Sequence, residues 1–341
     1  MNVPLLIILT ALKIIVILVV FLTAIAYTVL LERKVLGFIQ LRYGPNRVGP
    51  WGLLQPLADL LKLLFKEDFT PPGVNKVLFT LAPIITAVTA FLPFAVIPFA
   101  RDILPAKLTI YGMELDLTVA NLNQGVIADI NVGLLYVFAM GSLAVYGAVL
   151  GGWASNNKYS LLGGLRLSAQ MVSYELALGL SVIGVLMLAG SLSLVKIVEA
   201  QKSMWFVVYQ PLGFVLFLIA SFAECARTPF DLIECENELV AGFQTEYSSM
   251  KWALFMLGEY CHIIVASAMA TTLFLGGWQG PFLPPIVWFV LKTFVMVFFF
   301  IWVRGTYPRL RFDQLMQLGW KGLLPLSLVN IVATGAVMLM F

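Results

Sequence analysis

The side chains able to do chemistry in this sequence stand out by where they fall, not by a short motif. Lys13, Glu175, Glu259, His262 and Lys292 each interrupt a long apolar run, and Glu224 closes another. An ionisable group at the centre of a membrane segment costs roughly 2.5–3.5 kcal/mol even on lenient scales, so each needs a reason. Carboxyl groups in apolar surroundings hold protons that neighbouring charge can release, which is acid–base chemistry. Two readings stay open for these groups: structural ion pairs between helices, which suits Lys13, or a proton pathway, which suits the two deep acids Glu175 and Glu259. His262 follows Glu259 by one helical turn and is either a hydrogen-bonded bundle residue or a relay.

A second group runs from Glu224 to Lys251. It sets Glu224, Asp231, Glu234, Glu236, Glu238 and Glu246 against Arg227 and Lys251. Pro229-Phe230, Leu239-Val240 and Phe243 interleave with the charges, so this loop is expected to pack rather than lie in solvent. Acids crowded into a packed loop repel one another and titrate together, which suits proton uptake or charge sensing.

Other chemistries lack their residues. Cys225, Cys235 and Cys261 form no C-x-x-C pair, and the single His excludes bis-histidine haem ligation. No phosphate- or dinucleotide-binding glycine motif appears in a usable context, and Gly163-Gly164 reads as a turn. Electron chemistry therefore falls to partner chains. A net charge of +3 gives a nucleic-acid reading no footing.

The elements that must position these groups are membrane helices. The chain is 61% hydrophobic and only 11% charged, against about 25% charged in soluble proteins. Eight segments approach the roughly 20 apolar residues that a crossing needs. They are Leu5–Leu31, Val77–Ala100, Ala128–Gly151, Leu165–Ala189, Trp205–Ala223, Trp252–Leu275, Pro285–Val303 and Gly322–Met340. On these bounds Glu175 lies about 15 Å and Glu259 about 10 Å from the same side, at 1.5 Å per residue. The first span reads as retained: no base precedes it and no small-residue cleavage site follows.

The fold class is thus all-α and polytopic, a single transmembrane domain over 1–341. Its loops on one side fall at about 32–76, 152–165, 224–251 and 304–321. That side holds fifteen Lys and Arg and the other four, so the positive-inside rule makes it cytoplasmic and puts both termini outside. Within the first loop, Leu53, Leu54, Leu57, Leu60, Leu61, Leu64 and Phe65 form one helical stripe, with Pro56 near its start. This is an amphipathic helix, set either in the membrane interface or against another subunit.

Three blocks carry a resemblance. The first comprises Leu31-Glu32-Arg33-Lys34, Gln40-Leu41-Arg42-Tyr43-Gly44-Pro45-Asn46 and Gly52-Leu53-Leu54-Gln55-Pro56-Leu57-Ala58-Asp59. The second spans Ala223 to Leu232 and Glu236 to Phe243, and the third spans Trp302 to Met316 with Arg304, Tyr307-Pro308-Arg309 and Asp313-Gln314. In this order they resemble the membrane subunit at the quinone-site end of respiratory complex I, the H subunit of the bacterial enzyme and subunit 1 of the mitochondrial one.

The resemblance implies a subunit of a proton-pumping NADH:quinone oxidoreductase in a bacterial inner membrane. It would anchor the hydrophilic arm, line a quinone chamber and start an acidic path. By position, Arg33, Arg42, Asp59, Lys62, Arg227, Phe230 and Arg304 fall to the chamber. Glu175, Glu224, Asp231, Glu234, Glu236, Glu238 and Glu259 fall to the path. The resemblance implies no catalytic residue, metal or redox cofactor in this chain. Quinone is the implied substrate, with FMN and iron–sulfur clusters in hydrophilic-arm partners, and small and antiporter-like membrane subunits as neighbours beside the lipid. Ala226, Ile233 and Cys235 depart from the residues expected at their positions. Rival readings are the equivalent subunit of a membrane-bound hydrogenase or ferredoxin-linked complex, and a stand-alone proton or cation transporter. The transporter reading lacks the repeated halves and broken helices that such proteins show.

Overall fold

Long apolar runs can satisfy their backbone groups in hydrocarbon only as helices or closed barrels, and these runs are continuous rather than alternating. A computed structural model of the chain describes residues 3–101, 107–110, 113–116, 125–232 and 236–340. The long helices are α1 (Val3–Ile39), α3 (Lys76–Phe91), α4 (Gly133–Ala154), α5 (Lys158–Ala189), α8 (Pro211–Glu224), α10 (Ser249–Phe274), α11 (Pro285–Thr306) and α13 (Leu324–Met340). Between them lie α2 (Gln55–Phe65), α6 (Leu194–Ala200), α7 (Phe206–Tyr209), α9 (Glu236–Leu239) and α12 (Phe312–Gln317), and a π-helical turn over Leu318–Leu323 joins α12 to α13. Seven helices among the described residues are long and apolar enough to cross a membrane, and α8 is a shorter apolar one. Outside the spans, β1 (Lys107–Ile110) pairs antiparallel with β2 (Met113–Asp116), a hairpin the apolar pattern did not announce.

Three sequence expectations change. The expected span Trp205–Ala223 is two helices, α7 and α8, broken at Gln210. Pro211 has no N–H to continue the ladder and pushes the residue before it out of helical geometry, and Gln210 has φ −129° and ψ 54°. The Gln210 side chain then serves the break, donating to Thr334 Oγ1 at 2.7 Å and accepting from Asn330 Nδ2 at 3.0 Å. The loops are also shorter than drawn: α1 runs on to Ile39, and 152–165 shrinks to Ser155–Asn157 because the Asn157 side chain caps α5 by accepting from Tyr159 N–H. Gly163 is no turn. It lies inside α5, where a Cβ would stand 2.7 Å from both Gly242 Cα and Phe243 N, so its lack of a side chain lets the acidic loop sit on the helix.

The core forms where α5 packs on α4, α8 and α13, and α10 packs on α3 and α11. Tyr174, Phe217, Phe274, Ile197 and Met269 are fully buried there. Tyr174 satisfies its hydroxyl by donating to the Leu315 carbonyl at 2.7 Å, which ties α5 to α12. By contrast α1 leaves Ile7, Ile8, Ile15 and Val19 more than half exposed, a face for lipid or another subunit. At one end of the bundle, Lys292 donates to the carbonyls of Leu275 (2.6 Å), Gly277 (3.1 Å) and Gln279 (2.7 Å) and lies 4.3 Å from the Trp205 ring centroid. Lys13 donates to the Val126 carbonyl at the same end. Both lysines thus hold loops there.

The α3–α4 contact depends on Gly147. A Cβ there would fall 2.1 Å from Thr86 Oγ1 and 2.9 Å from the Ala82 carbonyl oxygen. Gly147→Ala should destabilise the protein by roughly 1–3 kcal/mol through overpacking. Gly179→Ala, whose Cβ meets nothing within 4 Å, should be neutral or stabilising by roughly 0.5–1 kcal/mol. Thermal midpoints of the two purified variants check this, and equal midpoints would refute it.

Candidate functional site

The site begins on the last buried turns of α1. Ile25, Thr28 and Glu32 lie on the i, i+3, i+7 stripe that faces the bundle, and Glu32 is only 4% exposed. A carboxylate there needs cations. Arg304 of α11 bonds Glu32 through Nη1, and Arg227 Nη1 lies 3.5 Å from the same Oε1. Arg227, 5% exposed, also reaches α10, where its Nε is 2.6 Å from Glu259 Oε1 and its guanidinium lies 4.5 Å from the Tyr260 ring centroid. Two cations and two anions from four parts of the chain form one buried network.

Local backbone geometry delivers Arg227. Helix α8 closes with N–H bonds from Ala226 to Ala223 O and from Arg227 to Phe222 O, the Schellman pattern. Ala226 takes the left-handed position with φ 50°, a conformation that suits Gly or Asn better than Ala. This is the physical content of its departure from the expected sequence. The chain then turns back and is held firmly. Gln170 of α5 donates to Ala223 O (2.7 Å) and Phe230 O (3.0 Å), and Leu310 N–H bonds Pro229 O at 3.0 Å. Phe230 is buried against Tyr174, with ring centroids 5.8 Å apart. Asp231, also buried, pairs with Arg309 at 3.0 Å. The loop packs, as its apolar residues led us to expect.

The remaining predicted residues fall in three places. Arg33, one position past Glu32, faces outward and pairs with Asp59 of α2 at 2.6 Å, while Gln55 Nε2 bonds the other Asp59 oxygen at 2.9 Å. Arg42 bonds Gln40 at 2.7 Å and Lys62 is exposed on α2, so neither joins the buried network. Among the acids, Glu175 accepts from Ser142 of α4, and Glu238 is exposed and pairs with Arg166 at 2.5 Å. Glu246 accepts from Asn157 Nδ2 at 2.7 Å. Glu234 lies outside the described residues, and of Glu236 only the helical backbone is described. Glu224 lines two adjoining cavities. Its neighbour Cys225 is buried, and burial followed by the Glu224 charge pushes the thiol well above its ordinary range, so it stays protonated filler. No group of three His, Cys, Asp or Glu side chains among the described residues is placed to hold a metal.

Sequence reasoning missed Glu32, Tyr260 and Gln170. Glu32 was named only within the first block of the resemblance and given no role; its stripe with Ile25 and Thr28 is the signal of burial. The network also joins groups that the sequence kept apart, because Arg227 of the expected chamber bonds Glu259 of the expected path and shares Glu32 with Arg304.

A family model described as NADH dehydrogenase matches residues 12–335. The chain belongs to that family. It is 60% identical over 328 residues to one NADH-quinone oxidoreductase H subunit of Geobacter metallireducens, covering 96% of each chain. It is 59% identical over 327 residues to one NADH-quinone oxidoreductase H subunit of Geobacter sulfurreducens, covering 96% of this chain and 95% of the relative. The NADH-quinone oxidoreductase H subunit of Methylococcus capsulatus is 53% identical over 313 residues, 92% of each. This chain is therefore a membrane component of an oxidoreductase complex, of the H-subunit type.

Removing one member of the buried network should expose the interdependence of the others. Arg227→Leu leaves Glu259 without its close cation and should destabilise by roughly 3–5 kcal/mol. The double variant Arg227→Leu with Glu259→Leu should recover part of that loss, with a coupling of roughly 0.5–3 kcal/mol. Thermal midpoints of the four proteins in the cycle measure it, and strictly additive shifts would show that the pair does not act as a unit.

Proposed function

We propose that the Arg-rich end of this subunit lines part of a quinone chamber, and that the acids leading from it couple quinone reduction to proton translocation. The observation that carries the reading is the buried Arg227, which bonds Glu259 directly and shares Glu32 with Arg304. A charge change on one side of Arg227 alters the field at acids on the other, and in a water-poor setting that field is weakly screened.

The roles divide as follows. The quinone tail lies against α1, α2 and α10. These elements meet where Arg33 bonds Asp59 and where Ser249 Oγ donates to Leu63 O at 3.0 Å. Leu57, Leu60, Leu61 and Leu64 of α2 are about half exposed and supply apolar wall. The head group approaches Arg33, Asp59, Arg227, Phe230 and Arg304, with Arg42 and Lys62 on the chamber's loop margin. Partner subunits of the hydrophilic arm supply electrons from their own FMN and iron–sulfur clusters. Reduction to the quinol takes two electrons and two protons, and the groups that give up those protons are left more negative, so the field at the nearby acids changes. Asp231, Glu234, Glu236 and Glu238 answer as a coupled set, and Glu259, Glu224 and Glu175 pass the response toward neighbouring membrane subunits.

The same reading sets the orientation. The fifteen Lys and Arg of the Arg-rich side face the cytoplasm, and both termini lie across a bacterial inner membrane. The chain acts as a single transmembrane domain, with the hydrophilic arm seated on its Arg-rich loops and lipid on the open face of α1.

Replacing Glu234, Glu236 and Glu238 together by Gln in the assembled complex should lower the protons moved per electron while the complex still assembles. Proton uptake into vesicles and NADH oxidation, recorded together, give the ratio; an unchanged ratio would remove these acids from the coupling.

A further inference from the structure

His262 is the only histidine in the chain, and the roles above leave it idle. It lies on α10 one turn beyond Glu259. Its Nε2 is buried and has no hydrogen-bond partner among the described residues. Burying such a nitrogen without a partner costs roughly 1–3 kcal/mol, and α10 has many apolar residues that would avoid this cost. The position of His262 between two cavities supplies a reason. The larger, of about 70 Å³, is also lined by Glu224, Glu259 and Gln244. The smaller, of about 20 Å³, is also lined by Glu224, Ser221 and Gly141. Both cavities share only Glu224, Cys225 and His262.

The titratable groups that face His262 are therefore Glu259 on its own helix, Glu224 at the end of α8, and Cys225. Cys261 is turned away and bonds Ala90 O at 3.0 Å. Beyond the smaller cavity the path continues. A Cβ on Gly141 would lie 3.1 Å from Glu224 Oε1, and the next residue, Ser142, donates to Glu175. Glu259 and Glu175 are thus the two ends of a polar line whose middle is His262 and Glu224.

We propose that His262 is the proton relay between Glu259, at the buried ion network, and Glu224, at the junction of the two cavities. The inference rests on the proposed acidic path and names the member that joins its two halves. A proton that reaches Glu259, at rest the anion of the Arg227 pair, passes to the imidazole at Nε2, and the imidazole gives its Nδ1 proton to the Glu224 carboxylate. Glu259 loses one proton, Glu224 gains one, and His262 returns to its neutral form with nothing else consumed. The cavity walls are mostly apolar, and Glu224, His262, Ser221 and Gln244 offer the hydrogen bonds that would hold water molecules across the gaps.

The test uses the intact complex in proteoliposomes, with His262→Phe, which keeps the bulk, and His262→Gln, which keeps polarity but cannot carry a proton. Both should slow proton-coupled NADH oxidation about tenfold or more, where loss of a general acid–base group typically costs roughly 10²–10⁴-fold. Glu224→Gln serves as the reference for the path itself. Infrared difference spectra with isotope-labelled histidine should show an imidazole protonation signal on quinone reduction that both His262 variants lack. If the His262 variants pump like the parent while Glu224→Gln stalls, the relay is wrong and the acidic path stands. If all three pump like the parent, the path itself is wrong. If a variant fails to assemble, the parent spectrum decides: no histidine signal on reduction overturns the relay.

Discussion

Arg227 carries a guanidinium that stays charged at any physiological pH, and the fold buries it. Desolvating that charge is costly, and only close anions offset the cost. Glu259 and Glu32 supply them, Arg304 balances the second carboxylate, and the Tyr260 ring covers the guanidinium. Satisfying one cation therefore brings the ends of α1 and α11, the middle of α10 and the chain after α8 to one point. The loop that follows inherits its course from this constraint. It is fixed by Gln170, by Leu310 and by the Asp231–Arg309 pair before it reaches the acids of α9.

The two ends of the bundle use their polar groups differently. At one end Lys292 and Lys13 are matched to backbone carbonyls, and Gln201 donates to Thr272 O while accepting from Gly276 N–H. Such bonds close loops, and the Arg101–Glu199 ion pair at that end is part-exposed, so water screens it. At the Arg-rich end, carboxylates and guanidinium groups meet beside cavities. Interactions between full charges are strong where water is scarce and change sharply when one member gains or loses a proton. That asymmetry is the reason the chemistry we propose is set at the Arg-rich end.

Much of the architecture was legible in the order of residues. Continuous apolar runs marked the crossings, and a leucine stripe after Pro56 marked α2. The cost of a charge in hydrocarbon singled out Glu175, Glu224 and Glu259. Less legible were features that arise only when distant segments meet. Glu32 turns into the bundle while its neighbour Arg33 faces outward, because adjacent residues on a helix point about 100° apart. The break at Gln210 was hidden inside an apolar run, since composition does not register that Pro211 lacks a hydrogen-bond donor. Lys13, for which an ion pair between helices was one expectation, bonds a loop carbonyl instead, and Lys292 does the same.

By itself the sequence determined the class of protein, the number of apolar segments and the kind of chemistry. These follow from hydration, which acts on each residue wherever it ends up. Tertiary structure alone decided the pairings: that Arg227 lies between Glu32 and Glu259, that Asp231 takes Arg309, and that His262 and Glu224 share two cavities. Pairing depends on distance between charges far apart in the chain, and only the packing of helices sets that distance.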